Sequence, residues 1–212
     1  MPDHSPVVVH GAVEGLLDEA VLRRLVHMTG GVPGSVYGKN GKVHLLEKLT
    51  GYNQAARFSP CPWLVLVDLD QSYMCAPPAR ARWLAGSARR MCLRIAVHEI
   101  EAWLLADRDG ISKFLAVRNS LIPENPEAEL DPKRTMVEIA SYSRRSEIRE
   151  DMVPRPGSGR SVGPAYPSRL IEFVERSWRP DNASHRADSL RRCLERLGEL
   201  VKECSRQDTQ CP

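Results

Sequence analysis

Hydrophobic and polar positions alternate between two periods along the first half of the chain. Residues 6 to 13 are rich in β-branched side chains and run into Glu14-Gly15, after which Leu17, Val21, Leu25 and Met28 recur at helical spacing. This predicts strand, tight turn, helix. Asp18 and Glu19 fall in the first turn of that helix, where its dipole favours negative charge, and Gly30-Gly31 closes it. A short second strand is predicted around Ser35 to Tyr37, and Val43, Leu46 and Leu49 space out a second helix that ends at Gly51. The run from Trp63 to Val67 is continuously apolar and finishes in Asp68-Leu69-Asp70, the signature of a strand buried on both faces with its tip in solvent. Pro77-Pro78 opens a helix over 79–86. Residues 93 to 97 read as a further strand running directly into a helical segment from Glu99 to Asp107.

Strands alternating with helices at this spacing predict an α/β fold with a mostly parallel, Rossmann-like sheet flanked by helices. After Asp109-Gly110 the character changes. Segments 120–135 and 153–167 are dense in Pro and Gly and read as loops, and two amphipathic helices follow, over 168–178 and 184–204. The expected organisation is therefore an α/β core over 1–110 with a loop-rich and helical extension over 111–212.

Composition narrows the class. With 212 residues, 42% hydrophobic and 27% charged, the chain suits a globular domain and excludes a disordered, collagen-like or coiled-coil build. No apolar run approaches the length needed to span a bilayer, and the first six residues lack the basic and apolar regions of a signal peptide. A cytoplasmic location with reduced thiols is the expectation. The six cysteines include no pair at zinc-knuckle spacing, so they read as small apolar residues and surface thiols. The net charge of +3 lies entirely beyond residue 130, which is too mild to announce a nucleic-acid binder. Arg144-Arg145, Arg155 with Arg160, and Arg191-Arg192 are local clusters able to face phosphate.

Each of the three clearest strands ends in acid: Glu14, then Asp68 and Asp70, then Glu99 and Glu101. Ligands of open α/β sheets bind beyond the carboxyl ends of the strands, so these carboxylates are predicted to converge on one edge. Like charges a few ångströms apart raise one another's pKa, and a divalent cation held between them relieves the conflict. Hard oxygen ligands suit Mg²⁺, Mn²⁺ or Ca²⁺. On an extended strand Asp68 and Asp70 point to the same side while Leu69 faces the core. Glu99 and Glu101 would lie about 200° apart on a helix, so one of them ligates and the other caps unless the helix begins later. His98 adjoins this cluster as a hydrogen-bonding or a structural histidine.

The ordered combination of Glu14-Gly15 after the first strand and Asp68-Leu69-Asp70 after the third resembles the Toprim domain of topoisomerases, primases and small nucleases. The whole chain is similar to a Toprim-like family encoded beside AAA- or ABC-type ATPases in prokaryotic defence loci. The residues carrying that similarity are Val13-Glu14-Gly15, the segment from His98 to Asp107, Asp131-Pro132-Lys133 and Gly163-Pro164-Ala165-Tyr166. The resemblance implies Mg²⁺- or Mn²⁺-dependent phosphodiester hydrolysis of DNA or RNA. Asp68 and Asp70 would hold the metal, and Glu14 would ligate it or act as general base. Glu99 or Glu101, with Asp107, would complete a second metal position, and Lys133 would offer a fixed positive charge to the transition state. Arg155, Arg160 and Lys133 are the expected phosphate contacts. Tyr73 is not expected to act as a topoisomerase nucleophile, because that class carries its tyrosine on a separate domain.

Two readings compete, with a different small α/β phosphotransferase or phosphatase on a similar sheet as a third. In one, the chain is the nuclease effector of an ATPase-coupled defence system. In the other it is a non-catalytic Toprim-like adaptor that binds the ATPase through its C-terminal helices. The apolar stripe of those helices suits a homodimer and a heterologous contact equally well.

Overall fold

A computed structural model describes residues 6–69 and 76–208. They divide into two compact units, one of residues 6–69, 76–95 and 192–208, the other of residues 96–191. No helix among the described residues is long and apolar enough to cross a membrane.

The first unit is built on a four-stranded parallel sheet ordered β2-β1-β3-β4, with β1 at Val8–Val13, β2 at Val32–Gly38, β3 at Trp63–Asp68 and β4 at Met91–Ala96. Three helices connect the strands: α1 (Leu16–Met28), α2 (Lys42–Phe58) and α3 (Ala76–Trp83). The α/β, Rossmann-like expectation holds at this level. β3 lies inside the sheet and buries its first five residues, whereas the edge strand β2 alternates between exposed and half-buried positions. That contrast explains why the sequence announces β3 loudly and β2 faintly. One sheet face packs Ala12, Trp63, Val65, Val67 and Leu93 against Leu45, Leu49 and Ala56 of α2.

The helix expected to stop at Gly51 continues to Phe58. Its buried stripe extends through Asn53 and Ala56, and the Asn53 amide donates to the Gly86 carbonyl and accepts from the Ala88 N–H at 2.7 Å. These contacts outweigh the roughly 1 kcal/mol that an interior glycine costs a helix. The turn from β2 to α2 needs glycine for a different reason. Gly38 has φ +89°, and a Cβ there would lie 2.2 Å from the Val13 carbonyl oxygen.

The second unit is helical. α4 (Ile100–Ala106) is buried at every position, α5 spans Arg108–Leu115, and two 3₁₀ turns precede α6 (Pro132–Ser141). α7 (Ser146–Met152), α8 (Tyr166–Arg176) and α9 (Pro180–Ser184) follow, and α10 (Asp188–Asp208) begins here. α4 packs against α6 and α9. Trp103 is fully buried and its indole N–H donates to the Ser189 hydroxyl at 2.7 Å.

The loop expected through residue 135 ends earlier. Asp131 caps α6 by accepting the Arg134 N–H, and Pro132 occupies the first helical position, so Lys133 stands in a helix rather than a loop. α7 escaped the sequence pattern because its seven residues bury only Ile148 and Met152.

Candidate functional site

The β1–β3 adjacency decides the geometry in the first unit. Because the two strands are parallel neighbours, their carboxyl ends emerge side by side, and Glu14 Oε1 accepts the Asp68 backbone N–H at 2.8 Å. Two acids separated by more than fifty residues in sequence thus meet at one edge of the sheet, as their strand-end positions predict. Both are half-buried. The Asp68 carbonyl accepts from the Lys42 ammonium, which sits 4.9 Å over the Trp83 ring. Both main-chain groups of Asp68 are thereby held by charged side chains from two other elements. Asp18, in the first turn of α1, adds a carboxylate only 8% exposed. Asp70 and Tyr73 lie outside the described residues.

The β2–α2 turn is stitched to the same edge. Lys39 N–H donates to the Val13 carbonyl at 2.9 Å and Gly41 N–H to the Glu14 carbonyl at 3.0 Å. These bonds place α2, and with it Lys42, beside the end of β1.

The second unit holds an acid cluster of its own residues. His98 adopts φ +59°, in the left-handed region, and the Glu99 N–H turns back onto the Val97 carbonyl at 3.0 Å. The helix consequently begins one residue late: Glu99 is its extended N-cap and Glu101 lies in the first turn. That late start removes the 200° conflict, and both carboxylates approach one cation. Lys133 Nζ stands 2.8 Å from Glu99 Oε1 and 3.7 Å from Glu101 Oε1, and the Lys133 N–H donates to Glu99 Oε2 at 2.9 Å. Glu101 is 2% exposed and also accepts from the Tyr166 hydroxyl at 3.2 Å. Burial, together with the Glu101 charge, pushes the Tyr166 hydroxyl well above its usual pKa, so it remains a donor.

Tyr166 reaches this position through a backbone contact that only glycine permits. Gly163 N–H donates to the Met152 carbonyl, and a Cβ at 163 would stand 2.4 Å from the Asp151 carbonyl oxygen. The Gly-Pro-Ala-Tyr segment was the available signal for this tyrosine, although its role required the fold. Asp107 caps α5 by accepting the Gly110 N–H and takes three hydrogen bonds from Arg179. Arg179 is raised in pKa by that pairing.

The expected phosphate contacts of the second unit are surface residues. Arg144, Arg145, Arg155 and Arg160 are exposed, Arg145 pairs with Glu147, and Arg155 lines a groove of about 310 Å³ with Arg149.

Comparison with protein-family models, with curated proteins and with solved structures returned no match. The site's own chemistry therefore carries the functional argument. Among the described residues no group of three or more His, Cys, Asp and Glu side chains is placed to hold a metal ion. Glu14 and Asp68 nevertheless present the hard oxygens that suit Mg²⁺, an ion usually held by one or two carboxylates with water and substrate phosphate completing its shell. Lys133 supplies the compensating charge at Glu99 and Glu101.

Proposed function

We propose that this chain is a Toprim-like, Mg²⁺- or Mn²⁺-dependent nuclease that hydrolyses phosphodiester bonds of DNA or RNA, acting as the effector of an ATPase-coupled defence system. The observation supporting it is the Glu14–Asp68 junction, where two strand-end acids are tied together by a 2.8 Å bond at the carboxyl edge of a parallel sheet. A divalent ion bound there would lower the pKa of attacking water and offset charge growing on the phosphate. Asp68 would hold it, with Asp70 as the partner the sequence supplies. Glu14 has one oxygen committed to the Asp68 amide, which orients its carboxylate to ligate or to receive a proton from water. For Lys133 the proposed role is that of counter-charge to Glu99 and Glu101 within its own unit.

The test is incubation of the chain with plasmid DNA and with transfer RNA in Mg²⁺, Mn²⁺ or EDTA, beside Glu14→Gln and Asp68→Ala. Cleavage lost in EDTA and in both variants supports the nuclease and names its substrate. If neither nucleic acid is cut, even with the partner ATPase and ATP, the nuclease reading fails and the adaptor takes its place.

A further inference from the structure

We propose that Lys42 is a positioning residue for the Asp68 carboxylate, a role that rests on the metal-dependent reading above. Asp68 is the last residue of β3, where the regular ladder ends and the chain leaves the sheet. A peptide at such a point can rotate, and rotation swings the attached carboxylate. Here the rotation is blocked from both sides: the Glu14 carboxylate accepts the Asp68 N–H, and the Lys42 ammonium donates to the Asp68 carbonyl.

The lysine is itself held. It is the first residue of α2, anchored through the Gly41 N–H to the Glu14 carbonyl, and its ammonium rests 4.9 Å from the centre of the Trp83 ring. The residue is half-buried. A flexible solvated lysine would serve poorly as a clamp, whereas one fixed at its backbone and over an aromatic face keeps a defined reach. The lysine therefore acts through Asp68. Groups that orient metal ligands from behind typically change metal affinity 10- to 100-fold when removed.

The experiment measures Mn²⁺ binding to the full chain by electron paramagnetic resonance, for wild type, Asp68→Ala, Lys42→Met, Lys42→Arg and Trp83→Leu, with Tm recorded for each. Wild type is expected to bind and Asp68→Ala to lose binding. Lys42→Met should weaken binding about tenfold, with Tm within a few degrees of wild type. Lys42→Arg, which can reach the same carbonyl and lie on the ring, should recover most of that loss. Trp83→Leu should show a smaller weakening in the same direction, which keeps the proposal open to refutation if Lys42→Met fails to fold. Unchanged Mn²⁺ affinity in both Lys42→Met and Trp83→Leu overturns the proposal while the metal reading stands. Intact Mn²⁺ affinity with weakened nucleic-acid binding also overturns it, making Lys42 a substrate contact. No Mn²⁺ binding by wild type removes the metal reading itself and the proposal with it.

Discussion

The two acid clusters manage negative charge in different ways. Around Glu101 the carboxylates are nearly or partly buried and meet a lysine and a tyrosine hydroxyl, so the cation needed to tolerate them is part of the protein. At the sheet edge, Glu14 accepts a bond from a neutral peptide N–H of Asp68, and the Lys42 ammonium is directed to a main-chain carbonyl. The first arrangement suits holding helices together. The second lies at the carboxyl edge of a parallel sheet, the place where ligands of such sheets bind. An acidic motif thus has two physical outcomes, and its partners, rather than its spacing, distinguish them.

The largest effect is expected on activity. Asp68→Ala is expected to lower metal-dependent cleavage about a thousandfold or more, the scale of removing a charge-stabilising group from a transition state, while shifting stability little. Matching cleavage rates of variant and wild type would erase the distinction drawn for the sheet edge. Lys133→Met tests the other cluster. It removes the ammonium that stands beside the 2%-exposed Glu101 and should cost about 2–3 kcal/mol of unfolding free energy in a denaturant titration. An unchanged midpoint would count against Lys133 as the cluster's counter-charge.

Tyr166→Phe removes one neutral donor from the same carboxylate and should cost about 1–2 kcal/mol. It also carries a pH signature. The folded state holds the Tyr166 pKa above its usual value of 10, mainly by burial. The associated stability is therefore complete below about pH 10 and is lost as pH rises from there toward the folded pKa. Wild type should lose stability more steeply than Tyr166→Phe above pH 10, and parallel curves would refute this. The smallest effect is expected at Glu19, where burial works to raise the pKa but Arg23 and Lys39 outweigh it and leave it lowered. Glu19→Gln should cost about 0.5 kcal/mol at neutral pH, and the difference should vanish as acid protonates the wild-type carboxylate.

Much of the first unit could be read from residues alone. The continuous apolar run of β3 and the helical spacing of α1 each reflect a period that burial imposes directly. Glu14 and Asp68 followed from their places at strand ends, since parallel strands deliver their tips to one edge. The second unit was harder because its helices are short and its decisive contacts are long-range. Neither α7 nor the pairing of Lys133 with Glu99 leaves a periodic trace.

What the sequence determined by itself is local and repetitive: which segments alternate, which are buried on both sides, and which acids terminate strands. Tertiary structure decided everything that depends on a partner. It started α4 at Ile100 through the left-handed His98 turn, so that Glu99 and Glu101 share one lysine. It brought Tyr166 to Glu101 through the Gly163 backbone contact, and Lys42 to Asp68 across the sheet edge. Hydrophobic periodicity is written along the chain because each residue's burial recurs with its own backbone geometry. The environment of a charge depends on groups tens of residues away, and only folding supplies them.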